Sequence, residues 1–121
     1  MDAERRRQGD RYEVTEEDRA RFQADGYVHL PGILSEEELT EIEAVYDRFT
    51  SGEIEVLGKD LCDMAGEYGR SIDEFKIINA MLPRRYWPAW RGNLYERRAA
   101  SISEQLIGGG LELDYDQLLA K

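Results

Sequence analysis

Phe22-Gln-Ala-Asp-Gly-Tyr-Val-His-Leu-Pro-Gly-Ile-Leu-Ser-Glu-Glu-Glu-Leu39 is the stretch whose reading decides the fold. Gly26 is placed to end a helix, because glycine enters left-handed backbone without a Cβ penalty. Tyr27-Val-His-Leu30 reads as a brief strand, rich in aromatic and β-branched types. Pro31-Gly32 breaks it, since proline removes a ladder donor and the pair favours a turn. Ser35, with Glu38 three residues on, is a capping box that starts the next helix.

Working outward, Thr15 caps the helix that Gly26 ends, with Glu16, Glu17 and Asp18 in its first turn, where the helix dipole favours acids. That helix runs to about Ala24, with Phe22 as its apolar anchor. Before it, residues 1–14 are charged and aperiodic and read as a disordered tail; Arg5-Arg6-Arg7 is a solvated end rather than a basic patch. Downstream, Glu36–Thr50 is a helix whose Leu39, Ile42, Val45, Tyr46 and Phe49 fall three or four apart as one core-facing stripe. Ser51-Gly52 ends it. Residues 53–72 read as a long loop, because Gly58, Gly66 and Gly69 interrupt any period.

Phe75–Leu82 is strand-like in length and β-branching, with a buried helix as the alternative. Pro88 suits the first position of a helix over Ala89–Ile107, with Trp90, Leu94, Ala99, Ile102, Leu106 and Ile107 on its buried side and Gly92 as a potential break near its start. Gly108-Gly109-Gly110 stops that helix. Leu111–Ala120 is then expected to be a strand by its alternation. Residues 15–121 make one domain.

Bulk properties narrow the function. The 121 residues carry a net charge of −10 with 41% apolar content. That balance argues for a folded chain and against a nucleic acid or an anionic membrane surface as partner, since both need a basic face. No run of about 18 apolar residues exists, so no helix is expected to span a bilayer. The start, Met1-Asp2-Ala3-Glu4, lacks the apolar segment of a secretory signal. Cys62 is the sole cysteine, which excludes an internal disulfide and a cysteine-built zinc site. Together these features point to a reducing, cytoplasmic setting.

The motif Phe-x-x-x-Gly-Tyr-Val-x-Leu-Pro-Gly-x-Leu-Ser-x-Glu-Glu-Leu over Phe22–Leu39 resembles the amino-terminal signature of the phytanoyl-CoA dioxygenase family, the non-haem Fe(II)/2-oxoglutarate oxygenases. Glu104-Gln-Leu-Ile-Gly108 followed by Leu111–Lys121 is similar to the helix-then-strand passage that precedes that family's metal motif. The resemblance covers residues 15–121 and implies an α+β arrangement: a helical amino-terminal portion plus the first strands of a double-stranded β-helix, a jelly-roll or cupin-like fold, here an incomplete barrel. It implies an enzyme that hydroxylates a small organic substrate, with Fe(II) and 2-oxoglutarate as cofactors. It also implies an open sheet edge covered by a partner chain or by a missing carboxy-terminal remainder.

Such an enzyme needs two histidines and a carboxylate on one face of the iron. The family supplies them as His-x-Asp and a distal histidine, and neither occurs here. His29 is the only histidine, and by resemblance its position belongs to the opening strand, outside the ligand set. No metal ligand and no catalytic residue is therefore assigned, and neither cofactor is expected to bind the chain tightly by itself. The resemblance implies a cofactor-binding role for Lys121, the family's lysine that holds the 2-oxoglutarate carboxylate. Gln117, on the same expected strand, is either a polar anchor facing the ligand or an outward-pointing residue.

Arg84-Arg85 beside Tyr86, Trp87 and Trp90 mixes cations with rings, but in so acidic a chain it reads as aromatic packing covered by arginines. Gly108-Gly109-Gly110 lacks the lysine and hydroxyl of a phosphate loop. Two further readings stay open: a non-catalytic acidic interaction module, and one half of a split oxygenase whose other chain carries the histidines.

Overall fold

The computed structural model describes residues 2–66 and 70–121. In chain order its elements are α1 (Ala3–Arg6), β1 (Arg7–Gln8), β2 (Arg11–Tyr12), α2 (Glu16–Asp25), α3 (Glu36–Thr50), β3 (Leu61–Asp63), β4 (Ile78–Met81), α4 (Pro83–Tyr86), α5 (Leu94–Leu106) and β5 (Gln117–Ala120). Short 3₁₀ turns occupy Gly58–Asp60, Ile72–Glu74 and Pro88–Trp90. The class is mixed α+β with two small antiparallel sheets, β1-β2 and β3-β4-β5, and neither closes into a barrel. Among the described residues no helix is long and apolar enough to cross a membrane. Where one domain over 15–121 was expected, contacts gather into two interleaved units: residues up to Leu39 with Gly92–Glu112, and Thr40–Arg91 with Leu113–Lys121.

The first unit forms around the segment expected to be a tail. Of the expected tail, residue 1 lies outside the described residues, and residues 2–14 fold because Arg6 and Arg7 find acceptors that no local pattern reveals. Arg6 is buried, pairs with Asp18 and donates from Nε to the Glu13 carbonyl at 3.0 Å. Arg7 Nη1 donates to the Gly32 carbonyl at 2.8 Å, and the Tyr12 hydroxyl donates to the Pro31 carbonyl. Tyr12 itself is wholly buried, in a core with Val14 and Ile102 that Leu30, Ile33 and Leu106 border. Gln105 on α5 extends the hairpin: its amide donates to the Tyr12 carbonyl at 2.7 Å and accepts from the Val14 amide at 2.9 Å, as a neighbouring strand would.

Helix starts follow the sequence closely. Thr15 and Asp18 form a full capping box, and Gly26 ends α2 at φ +81°. At α3 the Glu38 amide donates to Ser35 Oγ at 3.2 Å, and the Ser35 amide donates to Glu38 Oε1 at 2.8 Å. The expected strand at Tyr27–Leu30 is absent. Those residues are irregular and pair with no neighbour, and Tyr27 is 72% exposed, so β propensity finds no ladder.

In the second unit Phe49, Ile54, Val56, Ala80 and Leu118 form the core, with Val45, Tyr46, Leu61, Tyr86, Trp87 and Trp90 packed against it. Phe49 stacks on Trp90 at 5.6 Å between ring centroids. The loop expected at 53–72 contains a strand, β3, with 67–69 outside the described residues. The expected helix Ala89–Ile107 is split: Gly92 at φ +68° separates the Pro88–Trp90 turn from α5, which Asn93 caps. The expected strand Leu111–Ala120 shrinks to β5, because β4 offers only four residues for pairing.

Candidate functional site

The register of the three-stranded sheet sorts its residues onto two faces. Leu61 pairs with Ala80 and Ala80 with Leu118, so these three share the face that packs on Phe49. Cys62 pairs with Asn79 and Asn79 with Leu119, and alternation along β5 adds Gln117 to this opposite face. A polar row crosses all three strands here. Asn79 Nδ2 donates to Cys62 Sγ at 3.4 Å, and Gln117 Nε2 donates to Asn79 Oδ1 at 2.7 Å. Asn79 is 6% exposed, so the row's centre is withdrawn from water, and both atoms of its amide are engaged.

Lys121 lies one residue beyond β5, in the lining of an open cavity of about 320 Å³. Glu43, Tyr46, Asp47 and Thr50 of α3 form one wall; Phe75, Lys76, Ile78, Ala120 and Lys121 form the other. Burial raises the Tyr46 phenol above its ordinary range. Asp63 fixes the second wall. Its buried carboxylate accepts from the amides of Ala65 (2.9 Å), Ile77 (3.1 Å) and Lys76 (3.3 Å), and pairs with Arg70 at 3.4 Å. These bonds, the Ala65 amide first, hold the Asp63 carboxyl below its usual value. They also anchor the backbone that carries Lys76.

The two residues expected to bind a cofactor are thus not brought together. Gln117 bonds Asn79 through Nε2 on one face of the sheet, while Lys121 lines the cavity with α3. The resemblance gave no hint of Cys62, Asn79 or Lys76; only the strand register reveals the row, and only the return of the chain to α3 reveals the cavity.

The residues present do not fit an iron centre. His29 is exposed on an irregular segment. Among the described residues no three His, Cys, Asp or Glu side chains are grouped to hold a metal ion. A dicarboxylate on Lys121 would face Glu43 and Asp47 across the cavity, so the present arrangement opposes a dianion there.

The Arg84–Trp90 segment is packing. Arg48 lies 4.2 Å over the Trp87 ring, and the Tyr86 hydroxyl donates to Asp60, which also pairs with Arg85 at 3.8 Å. The bond to Asp60 raises the Tyr86 phenol. Asp116 ties β5 to α4: its Oδ2 accepts from the Arg84 amide at 3.2 Å and its carbonyl from the Leu82 amide at 2.9 Å. That tether holds Leu82 in the left-handed region at φ +56°.

No protein-family model matches the chain, and neither curated proteins nor solved structures yield a match.

Proposed function

We propose that this chain is the amino-terminal portion of a phytanoyl-CoA-dioxygenase-like Fe(II)/2-oxoglutarate oxygenase, supplying scaffold and one ligand-facing sheet face while other residues supply the iron ligands. The observation that carries this reading is the two-sided sheet: α3 packs on one face, and the other bears the Cys62–Asn79–Gln117 row on strands that end in open edges. A helical layer behind a sheet with a polar inner face suits a jelly-roll whose remaining strands and histidines lie elsewhere. In the complete enzyme Gln117 anchors ligand from the row. Lys121, which alternation assigns to the same face, reaches the 2-oxoglutarate carboxylate only after leaving the cavity it lines with α3. Split into two chains, the same chemistry makes this chain one half of the oxygenase.

A second reading, a non-catalytic acidic interaction module in a cytoplasmic setting, draws on the exposed Leu113, Tyr115 and Leu119, three large apolar side chains on or just before an edge strand. Decarboxylation of 2-oxoglutarate separates the two. With Fe(II), the chain is expected to be inactive alone and active when combined with a polypeptide carrying His-x-Asp and the distal histidine. Lys121→Ala is then expected to raise the KM for 2-oxoglutarate. Silence of the complemented pair refutes the oxygenase and leaves the module; turnover by the chain alone refutes the assignment of the iron ligands to other residues.

A further inference from the structure

The cavity of about 320 Å³ between α3 and the ends of β4 and β5 is built asymmetrically. Both acidic residues of the lining, Glu43 and Asp47, stand one turn apart on the helix wall; both lysines, Lys76 and Lys121, belong to the sheet wall. Tyr46 on the helix wall and Phe75, Ile78 and Ala120 on the sheet wall are the half-buried apolar part of the lining. None of the four charged groups forms an ion pair among the described residues, although Arg48 and Arg70 nearby are both paired. Two charge-segregated walls, each with apolar residues among its charges, present one electrostatic pattern to a ligand, negative on one side and positive on the other.

We propose that this cavity binds a small zwitterion, an ammonium-bearing carboxylate. Its cationic end lies against Glu43 and Asp47, with the Tyr46 and Phe75 rings beside it, and its carboxylate lies against Lys76 and Lys121. The volume sits at the low end of the ~300–1,000 Å³ typical of ligand sites, which selects a metabolite-sized molecule. Aromatic rings beside a carboxylate pair favour an alkylated ammonium over a strongly hydrated one. A dianion meets the acidic wall and a dication meets the basic one, so neither matches both. Asp63 makes the basic wall a fixed feature, because it holds the Lys76 amide directly. The site lies on the α3 side of the sheet, away from the polar row, and does not rest on the oxygenase reading.

The test is amide NMR of the whole chain titrated with glycine betaine and, as a longer zwitterion, aminovalerate; choline, acetate and 2-oxoglutarate are the half-matched probes. At least one zwitterion is expected to give saturable shifts confined to α3 from Glu43 to Thr50, Phe75–Ile78 and Ala120–Lys121, with the three other probes at least about tenfold weaker. Glu43→Gln/Asp47→Asn and Lys76→Gln, all at exposed positions, are each expected to weaken that binding about tenfold while leaving the thermal midpoint in place. No saturable zwitterion binding, or equal binding by wild type and both variants, overturns the proposal. Binding of 2-oxoglutarate alone, lost in Lys121→Ala, also overturns it while supporting the cosubstrate role of Lys121.

Discussion

Replacing Arg98 tests how the first unit is held together. The residue is 3% exposed, and its guanidinium makes four hydrogen bonds: Nε to the Gly9 carbonyl at 3.0 Å, Nη1 to the Ile33 carbonyl at 2.7 Å, and Nη1 and Nη2 to Glu38 at 2.7 and 2.8 Å. The Arg98 hydrogen bonds lead in drawing the Glu38 carboxyl from 4.5 down to about 2, and the bonds from Ser35 add to them. At full strength such a drop corresponds to about 3 kcal/mol; the 27% exposure of the Glu38 side chain screens it to about 2 kcal/mol. Because the folded-state pKa is depressed, this stabilisation is present above pH 4.5 and is lost as pH falls toward 2. At about pH 3 less than half of it remains.

Arg98→Met is expected to cost about 3–5 kcal/mol at neutral pH, because the Glu38 carboxylate loses its buried cation and two part-buried carbonyls lose their donor. Glu38→Gln keeps an acceptor for the Ser35 amide and is expected to cost about 2 kcal/mol. The double variant should fall short of the sum. Urea unfolding from pH 7 to pH 3 is the assay, read as the difference between wild type and Glu38→Gln so that Asp18 and Asp63, also depressed, cancel. That difference should shrink as pH falls. A constant difference across the range refutes the ion-pair reasoning.

Gly32→Ala is expected to destabilise by at least about 1–3 kcal/mol: its φ is +61°, and an added Cβ would sit 2.6 Å from the Ala3 Cβ. Ala3→Gly in the same chain should recover the steric part and leave the backbone part, as read from urea midpoints. Phe49→Ala removes a side chain that is 1% exposed and stacked on Trp90. A loss of about 3–5 kcal/mol is expected, with tryptophan emission shifting to the red at a lower urea concentration.

Legibility in the sequence tracked the range of the forces involved. The bounds of α3 and the ends of α2 were readable because caps and helical stripes act within four residues. The strands were poorly readable because pairing is decided by a distant neighbour. Leu111–Ala120 alternates throughout, but β4 is only four residues long, and Asp116 turns aside to cap α4. Leu61-Cys62-Asp63 has little strand pattern, yet it pairs because β4 presents a free edge. Gln117 and Lys121 entered as candidates through a resemblance, and the structure puts them in different places. Asn79 and Lys76 did not, because their roles arise from register and from the Asp63 clasp.

The buried arginines look paradoxical in a chain of charge −10, and the helix caps resolve the paradox. Asp18 and Glu38 are each the third residue of their helix, and each carboxylate closes a capping box. Each also receives a buried arginine from a remote part of the same unit: Arg6 on Asp18, Arg98 on Glu38. One oxygen serves both tasks in each case, Asp18 Oδ2 and Glu38 Oε1. A cap alone is worth about 1 kcal/mol and leaves the helix start free to move; a buried pair alone struggles to recover its desolvation cost. Joined on one carboxylate already held by a backbone amide, the charge is preorganised before the arginine arrives, so less is lost in bringing the two together. This is why Arg6 turns an apparent tail into part of the fold, and why the same acid-rich helix starts that seemed only to solubilise the chain fix its first unit instead.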